Sequence, residues 1–122
     1  MTLVQVAQRA TELDRAAAWY TRLLGRGPTA RFEPPGLLFF DLGGIRLLLD
    51  GNAPSALLYL KVADLDAEVA RLAAAGVEIV TPPHQIFVHE DDTLGPSGAQ
   101  EWQAFVRDSE GNTVGLVEWR GP

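Results

Sequence analysis

Apolar positions along this chain change period in a fixed order, and the order occurs twice. Leu3-Val4-Gln5-Val6-Ala7 has strand character. From Glu12 to Leu24 the apolar residues Leu13, Ala16, Ala17, Tyr20 and Leu23 fall at helical spacing, which predicts a helix with one buried face. Thr11 or Glu12 stands at its N-cap, Asp14 suits the positive end of its dipole, and Gly25 can close it. Three strands follow, Thr29–Glu33, Leu37–Leu42 and Ile45–Asp50. They are broken by Pro34-Pro35-Gly36 and by the two-residue hairpin turn Gly43-Gly44. After the linker Gly51-Asn52-Ala53-Pro54 the series restarts. Ala56–Val62 is a strand, and Asp64–Ala75 is a helix with Leu65, Val69, Leu72 and Ala73 inward. Val77–Val80 begins a strand, and Trp102–Arg107 and Thr113–Trp119 complete the set.

The expected architecture is α+β, one domain over residues 1–122 made of two β-α-β-β-β modules, about 1–52 and 53–122. Two such modules facing each other would leave a cleft between curved sheets. Their alignment is uneven. Residues correspond at an offset of 52 through the helices and 68 through the final hairpins, so the second module carries 16 extra residues near Pro82–Glu101. That segment holds both histidines, the acidic run Glu90-Asp91-Asp92 and Gly95-Pro96-Ser97-Gly98. A long insertion of this kind is either a lid over the cleft or a solvated loop.

Composition narrows the chemistry. The absence of cysteine excludes disulfides, thiolate nucleophiles, zinc ribbons and iron–sulfur clusters. The net charge of -6 argues against nucleic acid and anionic membrane surfaces as partners. With no run of about eighteen apolar residues, a soluble, cytoplasmic protein is expected. No serine sits on a strand-to-helix turn beside a histidine, and each glycine turn is followed by a strand rather than a helix. Neither a hydrolase triad nor a phosphate cradle is present.

Glu12-Leu13-Asp14-Arg15-Ala16, Trp19-Tyr20, Leu24-Gly25 and the later Phe105-Val106-Arg107-Asp108-Ser109-Glu110-Gly111-Asn112 resemble the vicinal oxygen chelate superfamily. This is the group of glyoxalase I, bleomycin-resistance proteins, extradiol dioxygenases and methylmalonyl-CoA epimerase. Within it, Leu58–Val62, Pro83-His84-Gln85-Ile86 and Glu101–Phe105 look like a set of small glyoxalase-like proteins. The resemblance implies a cup-shaped mixed sheet with helices on the outside, often a homodimer, holding either a divalent metal or an organic ligand.

Metal-dependent relatives place one ligand on each of four inward strand positions. Counting from the helix starts puts two of these at Gln5 and Leu57, and aligning the hairpins puts the others at Leu47 and Gly115. Only Gln5 has a donor atom, so no metal and no other cofactor is expected. Gln5, His84 and His89 are the weak exceptions. Loop ligands without a frame bind poorly, and two histidines five apart match no common motif.

Strand alternation then turns Ala7 and Arg9 to the side of Gln5, Tyr59 and Lys61 to that of Leu57, Ile45 and Leu49 to that of Leu47, and Val117 and Trp119 to that of Gly115. The ligand-binding set is Gln5, Arg9, Leu47, Leu57, Tyr59, Lys61, His84, Trp102, Gly115 and Trp119. Few polar groups in an apolar hollow suit a small organic molecule. Alternatives stay open for individual residues. Trp102 either anchors the insertion or stacks on a ligand. Lys61 either reaches solvent or Glu118, or points inward and binds an anion or serves as a base. His84 is a polar wall residue, a hydrogen-bonded structural histidine or an acid–base group. Of Phe39 and Phe40, one faces the helix and the other the cleft. The leading expectation is a binding protein that sequesters a small organic ligand. The runner-up is a glyoxalase-like lyase or isomerase using Gln5 and His84.

Overall fold

The computed structural model describes residues 1–122 and contains β1 (Gln5–Arg9), α1 (Leu13–Leu24), β2 (Ala30–Phe32), β3 (Leu37–Asp41), β4 (Arg46–Asp50), β5 (Leu58–Lys61), α2 (Leu65–Ala74), β6 (Ile79–Val88), β7 (Gln100–Arg107) and β8 (Thr113–Arg120). The fold is α+β, with two four-stranded mixed sheets and one helix for each. The first unit comprises Met1–Ala56 with Asp108–Asn112, and the second comprises Leu57–Arg107 with Thr113–Pro122.

In the first unit the sheet order is β1-β4-β3-β2. The α1 crossover makes β1 parallel to β4, while tight turns make the remaining pairs antiparallel. Both central residues of the β3–β4 turn, Gly43 and Gly44, have positive φ (66° and 94°), the requirement of a primed hairpin turn. Helix α1 buries Leu13, Ala16 and Tyr20. The Tyr20 ring lies 6.2 Å from Phe40, whose register partner is Leu47; Leu38 and Leu49 pair beside them, and all are fully buried. Phe40 is therefore the helix-facing member of the Phe39–Phe40 pair.

Polar groups in this core are satisfied. Buried Gln8 donates from Nε2 to the Ala56 carbonyl at 2.9 Å and accepts from the Ala56 amide at 2.7 Å, as a strand neighbour would. The Tyr20 hydroxyl donates to Asp108 Oδ2 at 2.6 Å. Burial first, and that carboxylate second, push the phenol pKa well above its usual value. Asp108 also accepts from the amides of Glu110 and Asn112, which fixes the 108–112 turn.

In the second unit the order is β5-β8-β7-β6, again with the helix-connected pair parallel. Asp64 caps α2 by accepting from the Ala67 amide at 3.1 Å, and Glu118 of β8 accepts from the Leu65 amide at 2.7 Å. Glu118 thus marks the α2 side of the sheet. By alternation Val114 and Leu116 share that side, and both are buried with Leu65, Val69 and Leu72.

The extra residues of the second module do not form a separate lid. They lengthen a hairpin: β6 has 10 residues and β7 has 8, against 3 and 5 in β2 and β3. The expected strand at Val77–Val80 runs on to Val88, passing Pro82 and Pro83 through register shifts on the outer edge of the sheet, where proline is tolerated. The connecting loop is tied to itself. The His89 amide donates to Ala99 O and the Gly98 amide to His89 O, each at 2.8 Å, and Asp92 accepts from the Ser97 amide at 2.8 Å. No helix is long and apolar enough to cross a membrane.

Candidate functional site

The face of the second sheet turned away from α2 carries the candidate site. Tyr59 and Gly115 are register partners, as are Gly115 and Phe105. A Cβ on Gly115 would come within 2.9 Å of the Tyr59 ring and 3.1 Å of Phe105, so the bare glycine is what lets the tyrosine lie down on the sheet. Two residues on, Lys61 pairs with Val117, which pairs with Gln103; beyond them Trp119 pairs with Glu101. Phe87 of β6 pairs with Glu101 from the other side. Tyr59, Lys61, Val117, Gln103, Trp119, Glu101 and Phe87, with Leu94 from the loop, line an open hollow of about 380 Å³.

A hydrogen-bonded centre organises its polar end. Glu101 Oε1 accepts from Trp119 Nε1 at 3.1 Å and from His89 Nε2 at 3.0 Å, while its Oε2 accepts from Gln103 Nε2 at 2.7 Å. His89 is buried, stands edge-on to Trp119 with ring centres 6.0 Å apart, and is covered by the backbone of Gly95. One carboxylate therefore fixes the orientation of an indole, an imidazole and an amide. Lys61 extends over the Trp119 ring, its Nζ 4.2 Å from the centroid. It does not turn to Glu118, which is held by the Leu65 amide and Arg120.

The structure thus gathers Tyr59, Lys61, Gly115 and Trp119 on one face. His84 pairs with Gln103 in register but lies outside the hollow's lining, and its Nδ1 donates to Pro82 O at 2.9 Å. Leu57 precedes β5 and is half-exposed. Two expectations are corrected. Trp102 pairs with Glu118 on the α2 side, where its indole donates to Gln100 and Arg120 stacks on it at 4.1 Å. It therefore cannot line the hollow. Leu47, and Leu49 with it, face α1 rather than away from it; Ile45 lies in the turn before β4. The residue of β4 on the Gln5 side is Arg46, its register partner.

The cause of that slip is one residue of turn length. Four residues separate the paired Asp41 and Arg46, but five separate the paired Arg107 and Thr113. An alignment on the turn glycines is therefore out of phase, and one residue of phase exchanges the faces of a strand. Residues missed from sequence are Phe87, Leu94, Glu101 and Gln103, all in or beside the insertion, whose bulged register offers no phase to count from.

With the register fixed, the positions that hold a divalent ion in metal-dependent relatives can be tested. Gln5 Oε1 accepts from the Arg46 guanidinium at 3.1 Å, so a fixed cation occupies the neighbourhood of the one donor. The matching pair in the second unit is Leu57 with Thr113, and the Thr113 hydroxyl accepts from Arg107 at 2.8 Å. Nowhere do three or more His, Asp or Glu side chains gather as a metal-binding group. These residues do not fit a divalent metal. Arg9 shares the Gln5 side of β1 and is exposed. A second hollow, of about 450 Å³, is walled by Phe32, Phe39 and Arg46 in the first unit, with Arg46 already committed to Gln5.

The family model described as "Glyoxalase/Bleomycin resistance protein/Dioxygenase superfamily" matches residues 2–116. Among solved structures, TioX from Micromonospora sp. ML1 is 24% identical, with a TM-score of 0.68 and coverage of 97% of this chain and 98% of that one. TnmS3, an antibiotic binding protein from Streptomyces sp. CB03234, is 21% identical, with a TM-score of 0.70 over 98% and 96%. A lactoylglutathione lyase from Agrobacterium tumefaciens is 23% identical, with a TM-score of 0.64 over 96% and 92%. At these identities the likeness is one of fold. No curated protein matches the chain.

Proposed function

The chain belongs to the glyoxalase/bleomycin resistance protein/dioxygenase superfamily, and from that premise we propose that it binds or sequesters a small organic molecule without a metal. The observation that carries this is the hollow on the second sheet. Tyr59, Phe87 and Trp119 give aromatic walls, Val117 and Leu94 add hydrocarbon, and only Lys61, Glu101 and Gln103 are polar. An apolar concavity with a few oriented polar groups is the ordinary form of a small-molecule site. The fold likeness to an antibiotic binding protein is in keeping with it.

The lyase or isomerase reading would put Gln5 and His84 to chemical work. Gln5 is engaged by Arg46, and His84 by a carbonyl two residues away in its own strand. The binding reading needs no group that is already occupied. A homodimer is proposed on the family's habit alone.

The test is a thermal-shift screen across aromatic antibiotics, thiol adducts and acyl thioesters, since a ligand that binds only the folded state raises its melting temperature. A shift that disappears in Tyr59→Ala and Trp119→Ala supports the reading. A shift unchanged in both variants places the site elsewhere.

A further inference from the structure

Taking the binding reading as its premise, we propose that the hollow selects planar aromatic monoanions, with Lys61 leaving the face of Trp119 to pair with the ligand's carboxylate while the ligand ring takes its place on the indole.

Which polar groups remain free decides the charge of the partner. Glu101 looks like the natural anchor for a cation, but three donors already occupy its two oxygens, and its side chain is only 13% exposed. A cationic ligand would find one acceptor site left on a carboxylate whose orientation is already set by the indole, the imidazole and the amide. Lys61 is in the opposite condition. Its ammonium is exposed, makes no ion pair, and rests on an aromatic face 4.2 Å away. An exposed ammonium on an indole face is weakly held, so exchanging that contact for a carboxylate costs little. The positive end of the hollow is therefore the available one.

Geometry fixes the shape of the partner. Trp119 cannot swing away, because its Nε1 is bound to Glu101 and its ring is set edge-on against buried His89. The Tyr59 ring is likewise seated on Gly115 and set edge-on to Phe105 at 5.8 Å between centroids. Two aromatic walls with an exposed ammonium beside one of them match a flat ring bearing one acidic group. The protein's overall charge of -6 opposes any anion at long range, but at physiological salt such repulsion is screened beyond about 8 Å. The contact with Lys61 is local and survives that screening.

The probes are 2-naphthoate and its neutral isostere 2-naphthamide, titrated calorimetrically into the intact protein. We expect the naphthoate to bind about fivefold more tightly or better, the scale of one partly exposed ion pair. That advantage should shrink between about 0.05 and 0.5 M salt, as screening requires. In Lys61→Met the two affinities should converge, and in Lys61→Arg the advantage should persist, which separates loss of charge from loss of fold. Equal binding of the two probes by the native protein, or an advantage that survives Lys61→Met, overturns the anion preference and leaves the binding reading standing. If neither probe binds the native protein, the preference for aromatic monoanions falls, and the binding reading is decided by the thermal-shift screen.

Discussion

The guanidinium of Arg15 and the carboxylate of Glu110 meet at 2.7 Å across 95 positions of sequence. Glu110 lies in the turn before β8, yet it does the work of an N-cap for α1. It accepts from the amides of Thr11 and Glu12, each at 3.1 Å, where Glu12 itself provides no side-chain cap. Arg15 above all, then the Glu12 amide and the Ser109 hydroxyl, hold its pKa at about 2 against an ordinary 4.5, despite an opposing desolvation. A carboxylate with a depressed native pKa contributes stability that is complete above its unfolded value and fades as pH falls through the folded one. Its window is therefore about 4.5 down to about 2. With the half-exposed Arg15 allowed for, Glu110→Gln should cost about 1–2 kcal/mol at pH 7. In urea unfolding, the gap between native and variant should close as pH is lowered through that window. A gap of the same size at pH 3 and pH 7 would mean that the charge of Glu110 is not what stabilises the helix.

Gly115 ties strand geometry to the site. In Gly115→Ala the new methyl would press on Tyr59 and Phe105 at 2.9 and 3.1 Å. Tyr59 is half-exposed and can lift away from the sheet, so the fold should survive at a cost of about 1–2 kcal/mol. Binding of an aromatic probe should fall much more than stability does, because one wall has moved. Equal affinity for 2-naphthoate in native protein and variant would show that the seated position of Tyr59 is irrelevant to recognition.

The Gln5–Arg46 pair bears on metal uptake. Titration with nickel, zinc and manganese should give no stoichiometric tight binding, since a guanidinium already takes the only donor oxygen at that position. Gln5→Ala and His84→Ala should leave any weak background uptake as it was. Stoichiometric uptake that disappears in either variant would overturn the metal-free reading.

Much of this arrangement is legible in the sequence, and the reason is local. The order of elements follows from helical periodicity and glycine punctuation, both short-range signals. The candidate face of β5 and β8 follows from alternation alone, which brings Tyr59, Lys61 and Trp119 together. The failures fall where the information is not local. Leu47 falls on the α1 face because the two hairpins differ by one turn residue, which no residue type announces; with that residue allowed for, Gly115 matches Leu48. Proximity to the insertion suggests a place for Trp102, but its face depends on where β7 begins. Glu101 and His89 are invisible as partners because their meeting needs β6 and β7 to pair through several register shifts. The capping of α1 by Glu110 spans most of the chain and leaves no trace in spacing.

Neighbouring loop residues offer the sharpest separation of structure from recognition. Leu94 lines the hollow yet is 70% exposed, so the fold gains little from it. Leu94→Ala should change stability by no more than about 0.5 kcal/mol. It should also weaken 2-naphthoate binding by about fivefold, because the shorter side chain covers less of the ligand's apolar surface. Gly95 is the reverse case. A Cβ there would meet buried His89 at 2.5 Å, and His89 cannot retreat without releasing Glu101. Gly95→Ala should therefore cost about 1–3 kcal/mol, with loosening of Trp119 visible in its fluorescence. If instead Leu94→Ala unfolds the protein readily while Gly95→Ala is silent, the loop is a structural brace and contributes nothing to the hollow. The same pair of variants thus reads out whether the inserted hairpin serves the ligand or only the sheet.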